Sequence, residues 1–212
     1  RVVKQHFKPL TLKRLLDANN CGNIPDNAVV ITVDDGYKDF ADYIWPIMQE
    51  EGVPATIFIT TGFVNRELWL WPDKIKYMLK NTDRKSASIP GFGKVPIIGD
   101  ELCAWNIISD YCLKIRNHKK NEIIESLFHD LGVEYQEVAP KGFEAVSWDQ
   151  LREMVSLGLD VGSHSHSHPI LTSLTKAELY QELVKPRRLI FDNLGFKPAS
   201  FCYPNGTRTD FN

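Results

Sequence analysis

Four short, mainly apolar runs, at residues 28–33, 55–60, 159–163 and 199–203, alternate along this chain with segments of helical periodicity. An apolar run too short for a helix and lacking polar alternation is the pattern of a strand covered on both faces. Such strands belong to a parallel α/β sheet or barrel with right-handed helical crossovers. The helical segments carry their own boundary signals. Residues 12–18 follow a Thr11 N-cap, and 40–51 stop at Gly52. Ser147 with Gln150, and Thr175 with Glu178, read as capping boxes for helices ending before Gly158 and Gly195. Pro46 and Pro186 fall inside helical patterns, which predicts a kink or an early break at each.

Residues 65–142 follow a different pattern. Trp69 and Trp71 open the segment, a polar stretch with Gly and Pro fills 81–99, and helical patterns cover 100–116 and 119–131. It reads as a helical insertion mounted on a single domain, 1–212. Trp69, Trp71 and Trp105 are expected as core or interface anchors ahead of sugar-stacking platforms. His6, His118 and His129 lie in no motif and are expected in surface or packing roles.

With 212 residues, 43% of them hydrophobic and 25% charged, the chain has the size and composition of a soluble globular domain. A formal net charge of −2 argues against nucleic acid or an anionic membrane as the main partner. No apolar run reaches the length of a bilayer-spanning helix. Cys21, Cys103, Cys112 and Cys202 form neither a Cys-x-x-Cys pair nor a zinc-ribbon spacing. Read as free thiols, they tilt the expectation toward a cytoplasmic over a secreted or periplasmic setting. The oligomeric state is left open.

Two places carry chemistry. The run 28–33 ends in Asp34-Asp35-Gly36. Adjacent like charges at a strand end cost energy unless a cation, a proton or a hydrogen-bond network relieves them. Successive side chains diverge, so one aspartate can coordinate a metal while its neighbour stays free as a base. An Asx turn or helix N-cap is the alternative for this pair taken alone. At the end of the run 159–163 stand His164, His166 and His168, three of the six histidines. Neutral imidazole is the commonest ligand for zinc-like metals. Taken alone, the stretch has an exposed adventitious metal-binding tract as its alternative. Together, His164, His168 and one aspartate form a two-histidine, one-carboxylate set with open positions, the pattern of a catalytic metal site.

These residues carry a resemblance. Thr32-Val33-Asp34-Asp35-Gly36 resembles the T-F-D-D-G motif of the polysaccharide deacetylases, the NodB-homology group of carbohydrate esterases, with Val33 in place of Phe. His164-Ser165-His166-Ser167-His168, followed by Pro169, is similar to the family's H-[S/T]-x-x-H motif. Phe201-Cys202-Tyr203-Pro204-Asn205-Gly206 resembles its third motif, with Cys202 where many members have arginine. The flanking Trp148-Asp149-Gln150-Leu151 is also family-like. The resemblance covers residues 26–64 and 143–208.

The resemblance implies a distorted, incomplete (β/α) barrel with a helical insertion between the first two motifs. It implies one divalent metal ion, Zn2+ first among the first-row metals, held by Asp35, His164 and His168. Asp34 would be the general base on an attacking water, and the backbone N–H of Asn205 would help hold the oxyanion, with Tyr203 and Pro204 binding substrate. Ser165 would tether the two loops, and whatever tunes Asp34 would come from somewhere other than position 202. The implied activity is removal of N-acetyl groups from sugar residues of a polysaccharide or glycan precursor. An amidase or deformylase on a small or lipid-linked amide, using the same site, stands as an alternative. A catalytically silent glycan- or metal-binding module is another. The family's general acid is a histidine in a late Leu-x-His motif. Because the chain ends at Asn212, directly after the third motif, that acid and the closing barrel segment are expected beyond it. An inactive chain, or another group serving as acid, remain the other options. His166 is the nearest substitute, but its side chain is expected to point away from the metal.

Overall fold

The computed structural model describes residues 2–97, 99, 101–208 and 210. The chain opens with α1 (Val2–His6), β1 (Lys8–Leu10) and α2 (Leu12–Asn20), and Thr11 caps α2 through its side chain. The run at 28–33 divides into β2 (Ala28–Val30) and β3 (Thr32–Val33), which pair with different neighbours. β2 lies parallel to β1, while β3 joins β4 (Thr56–Ile59) and β7 (Asp160–Ser163) in a three-stranded parallel sheet, order β3-β4-β7. Every residue of β4 is buried, as its short, mainly apolar run requires. Asp160 and Thr56 cap α2 from the sheet: their side chains accept the backbone N–H groups of Lys13 and Leu12 at 3.0 and 2.8 Å. The parallel strands and helical crossovers make an open, incomplete (β/α) barrel.

Between β3 and β4 the helical pattern changes character at Pro46. Phe40–Ile44 is a π-helical turn, with Trp45 N–H bonded to Phe40 C=O, and α3 (Trp45–Glu50) begins there with Pro46 in its first turn. Pro46 offers no N–H and crowds the carbonyl four residues back, so the wider turn takes the misfit. The break expected at Pro186 does not occur. α9 (Lys176–Leu194) runs through it, fixed at one end by the Thr175/Glu178 capping box and at the other by left-handed Gly195. Pro186 lies on the buried face of α9 with Glu182 and Ile190, where packing holds the helix on both sides of the missing N–H.

After β4 come α4 (Thr61–Val64), α5 (Trp71–Asn81), β5 (Ser86–Ile89), β6 (Gly93–Pro96), α6 (Glu101–Leu113) and α7 (Asn117–Asp130). β5 and β6 form an antiparallel hairpin where the polar stretch 81–99 reads as loop. The hairpin forms because Ala87, Ile89 and Val95 alternate with polar residues and drop into an apolar cluster with Trp69, Ile75 and Leu127. Trp69 and Trp71 are core anchors there. The Trp69 indole donates to Gln136 C=O at 2.9 Å, and Lys120 lies over the Trp71 ring at 4.8 Å. A second cluster, with Phe40, Ile57, Ile59, Val161 and Ile190, fills the space under the parallel sheet.

α8 (Trp148–Ser156) starts from the Ser147/Gln150 capping box as expected. The strand expected at 199–203 is reduced to one bridge, Phe201 parallel to Ser163, with bonds Ser163 N–H to Ser200 C=O and Cys202 N–H to Ser163 C=O. Pro198 and Pro204 bracket the run and neither can donate to a ladder, which leaves room for little more. Among the described residues, no helix is long and apolar enough to cross a membrane.

Candidate active site

Three parallel strands in register bring their C-terminal ends to one edge, and the residues that follow them meet there. Asp34 and Asp35 follow β3; His164 follows β7, its N–H on Ile59 C=O at 2.9 Å. Thr60, after β4, donates its N–H to Asp35 C=O at 3.0 Å and its hydroxyl to His164 C=O at 3.2 Å. The His164 and His168 Nε2 atoms face Asp35 Oδ1 at 3.4 and 3.2 Å. One ligand atom from each of the three residues falls within 4.8 Å of the others. Asp35, Ser165 and His168 all hold positive φ angles (73°, 67° and 57°) without being glycine, local strain gathered at one place.

The electrostatics match a cation-binding role. Burial opposes charge on Asp35, but the hydrogen-bond and charge interactions of His164 and His168 outweigh it and hold the carboxyl well below the usual carboxylate range. The His164 Nδ1 lies 2.9 Å from Cys202 C=O. A carbonyl only accepts, so Nδ1 carries a proton, and Nε2 is the ring atom left to face Asp35 or a metal. A buried carboxylate oxygen facing two imidazole nitrogens is a donor set that fits a divalent ion of the zinc type.

The loop bearing the histidines is pinned from several directions. Ser165 closes the loop on itself, its hydroxyl accepting His168 N–H at 3.0 Å. Its carbonyl, not its hydroxyl, makes the tether to a neighbouring element by accepting Thr61 N–H at 3.2 Å. Beside it, Gly62 N–H donates to His166 C=O at 2.9 Å. A Cβ at Gly62 would stand 2.6 Å from that carbonyl, so only glycine admits this approach. From α9, the buried carboxylate of Glu182 accepts the N–H groups of His166 and Ser167 at 2.8 Å each and the Ser167 hydroxyl at 2.7 Å. His166 itself turns outward. Its Nδ1 meets the Thr61 hydroxyl at 3.0 Å, and its Nε2 meets Lys185 Nζ at 2.7 Å and Glu67 at 3.0 Å. Burial, then the Lys185 charge, push its pKa down, so the ring is neutral and Nε2 accepts from the ammonium.

Position 202 supplies something the sequence pattern leaves out. The Cys202 thiol is pushed up to about 11, first by burial, then by the charge of Asp34 and its hydrogen bond to that carboxylate. It therefore stays protonated near neutrality, donating its S–H to Tyr203 C=O at 3.6 Å with the Asp34 carboxylate near it, at the position of the family's arginine. The bridge at Phe201 thus brings Cys202 to both Asp34 and His164. Of the residues that follow, Tyr203 is exposed with its ring edge-on to Phe201 at 5.4 Å, Pro204 is half-buried, and Asn205 Nδ2 is buried.

A cleft of about 1010 Å³ opens on Asp35 and His168. Tyr37, α5, the segment around Arg84 and the start of α6 wall it, with Trp105 on that wall and its indole donating to Pro72 C=O at 3.0 Å.

A family model described as polysaccharide deacetylase matches residues 22–84 and 114–211, well over half of the chain. The chain belongs to the polysaccharide deacetylase family. The match is interrupted over 85–113, so this polysaccharide deacetylase-family chain builds part of its cleft wall from residues outside the family pattern. A peptidoglycan-N-acetylglucosamine deacetylase, PgdA of Listeria monocytogenes, is 39% identical over 49 residues, 23% of this chain and 10% of that protein. The fold is that of the Streptococcus pyogenes deacetylase PplD solved with acetate (TM-score 0.57, 13% identity, 98% of this chain and 60% of that one). It is also that of IcaB from Ammonifex degensii (TM-score 0.55, 17% identity, 98% and 65%). The deacetylase domain of BpsB from Bordetella bronchiseptica shares it too (TM-score 0.53, 18% identity, 99% and 68%). The chain thus spans about a tenth of the length of PgdA and 60% of PplD. Among these folds it is a distorted, incomplete (β/α) barrel of the NodB type.

Proposed function

We propose that this protein is a metal-dependent hydrolase that removes N-acetyl groups from sugar residues of a polysaccharide or glycan precursor. The observation that carries the reading is the convergence of Asp35, His164 and His168 at the cleft, with Asp34 beside them. A divalent ion held by those three residues, Zn2+ by the character of the donor set, would acidify a water and polarise the acetamide carbonyl.

The chain's own groups supply the rest. Asp34 is exposed and is not one of the three converging residues, so it is free to take a proton from the attacking water. The Cys202 thiol lies near its carboxylate. The Asn205 backbone N–H is the proposed donor to the oxyanion, with Tyr203 and Pro204 against the sugar. The name of PgdA makes N-acetylglucosamine the first sugar to test. In full-length protein, chelation is expected to abolish acetate release from N-acetylglucosamine oligomers, and Zn2+ to restore it. Metal-loaded protein that releases acetate from no N-acetylated sugar oligomer would contradict the reading.

A further inference from the structure

The stretch 164–168 carries three imidazoles, yet the two that face Asp35 are the outer ones. A spare imidazole beside a carboxylate is a pair that zinc can bind, and His166 has such a neighbour. Its Nε2 lies 3.0 Å from Glu67 Oε2. Both side chains are held from behind. His166 Nδ1 meets the Thr61 hydroxyl at 3.0 Å, and Glu67 Oε1 accepts from the Asn65 amide at 2.8 Å. Asn65 is fixed in turn, its Oδ1 accepting the Trp148 indole N–H at 2.7 Å. A ring nitrogen and a carboxylate oxygen side by side, each with its other polar atom tied down, is how metal ligands are prepared. Zinc bound tetrahedrally at about 2.0–2.2 Å sets two donor atoms about 3.4 Å apart, so this pair would need to open only slightly.

The place between them is filled by Lys185. Its Nζ stands 2.7 Å from His166 Nε2 and 3.1 Å from Glu67 Oε2. An ammonium only donates, so Nε2 presents a lone pair, the form in which imidazole binds a metal. Burial opposes charge on Glu67, but the hydrogen bonds from Asn65 and Lys185 outweigh it and hold the carboxyl below its ordinary value. The ammonium is thus a cation between two cation ligands. It comes from α9, one turn beyond Glu182, which anchors the N–H groups of His166 and Ser167. The Glu67 and Lys185 side chains are both exposed, so an ion in solution can reach the pair.

We propose that Lys185 is a metal-exclusion residue: its ammonium occupies a latent divalent-cation site on His166 and Glu67 and keeps the histidine stretch from taking a second ion. Held on the same chain, the ammonium competes at an effective concentration on the order of millimolar. Zinc reaches the pair only by expelling it and breaking its ion pair with Glu67. A second ion on His166 would pull on the loop that aims His164 and His168, and the lysine reserves that loop for one ion. The proposal stands apart from the deacetylase reading, because it concerns the number of ions bound and no reaction.

Equilibrium dialysis of full-length protein against Zn2+, with metal analysis of the protein, tests it. Lys185→Met keeps the aliphatic stem and loses the charge, and it is expected to bind one Zn2+ more per chain than wild type. Lys185→Gln should gain the same ion, whereas Lys185→Arg, which restores a cation, should not. Adding His166→Ala or Glu67→Gln to Lys185→Met should weaken the extra ion at least about tenfold. Circular dichroism reports whether each variant is folded. No extra ion in folded Lys185→Met or Lys185→Gln, an equal gain in Lys185→Arg, or an extra ion that survives both added substitutions would overturn the proposal. The readout is the difference from wild type. A wild type that binds no ion would therefore contradict the Asp35 centre alone, and the gain in Lys185→Met would still decide this proposal.

Discussion

Replacing Asp34 by Asn is expected to lower acetate release by about 10²- to 10⁴-fold, the usual worth of a positioned general base. Metal content should stay the same. The separation follows from the geometry: the three converging atoms belong to Asp35, His164 and His168, while Asp34 is exposed and contacts the Cys202 thiol. Asn preserves the shape, but it cannot take a proton. Steady-state rates combined with metal analysis of the same samples check both halves. A silent binding module would release no acetate before or after the change and would keep its binding.

The second large effect is expected away from the reacting atoms. Glu182→Ala removes the buried acceptor of two half-buried N–H groups, those of His166 and Ser167, in the loop that carries two of the proposed metal ligands. A fully buried group left unsatisfied costs about 1–3 kcal/mol, and water reaches these two in part, so destabilisation of about 1–3 kcal/mol in all is expected in denaturant unfolding. Because the same loop aims His164 and His168, metal affinity should fall about 10- to 100-fold. Glu182→Gln keeps one acceptor oxygen and is expected to fall between wild type and Glu182→Ala in both measurements.

The features legible in the sequence were those whose physics is local. β4 is a short, mainly apolar run because both its faces are covered, and two capping boxes mark helix starts through residues three positions apart. Asp35, His164 and His168 were legible because few other purposes suit those residue types at strand ends. What escaped depends on partners distant in sequence. The β5–β6 hairpin hides a three-residue apolar alternation among Gly, Pro and polar residues, and Phe201 is held to Ser163 by a single bridge. Pro186 sits in an unbroken helix because packing outweighs one lost hydrogen bond. Glu182 left one trace, an acid on the Glu182–Pro186–Ile190 line that becomes the buried face of α9. The hydrogen bond from the Tyr37 hydroxyl to Asp73 at the cleft, 2.6 Å long, left none, since nothing in a linear reading joins a residue after the first motif to the start of α5.

The central claim is that Asp35, His164 and His168 hold one divalent ion, and calorimetric titration of metal-free protein with Zn2+ tests it most directly. Wild type is expected to bind one ion per chain, and His164→Ala and His168→Ala each to bind it at least about tenfold more weakly while remaining folded. Wild-type affinity retained in both variants, or no ion bound by the wild type, would contradict the account.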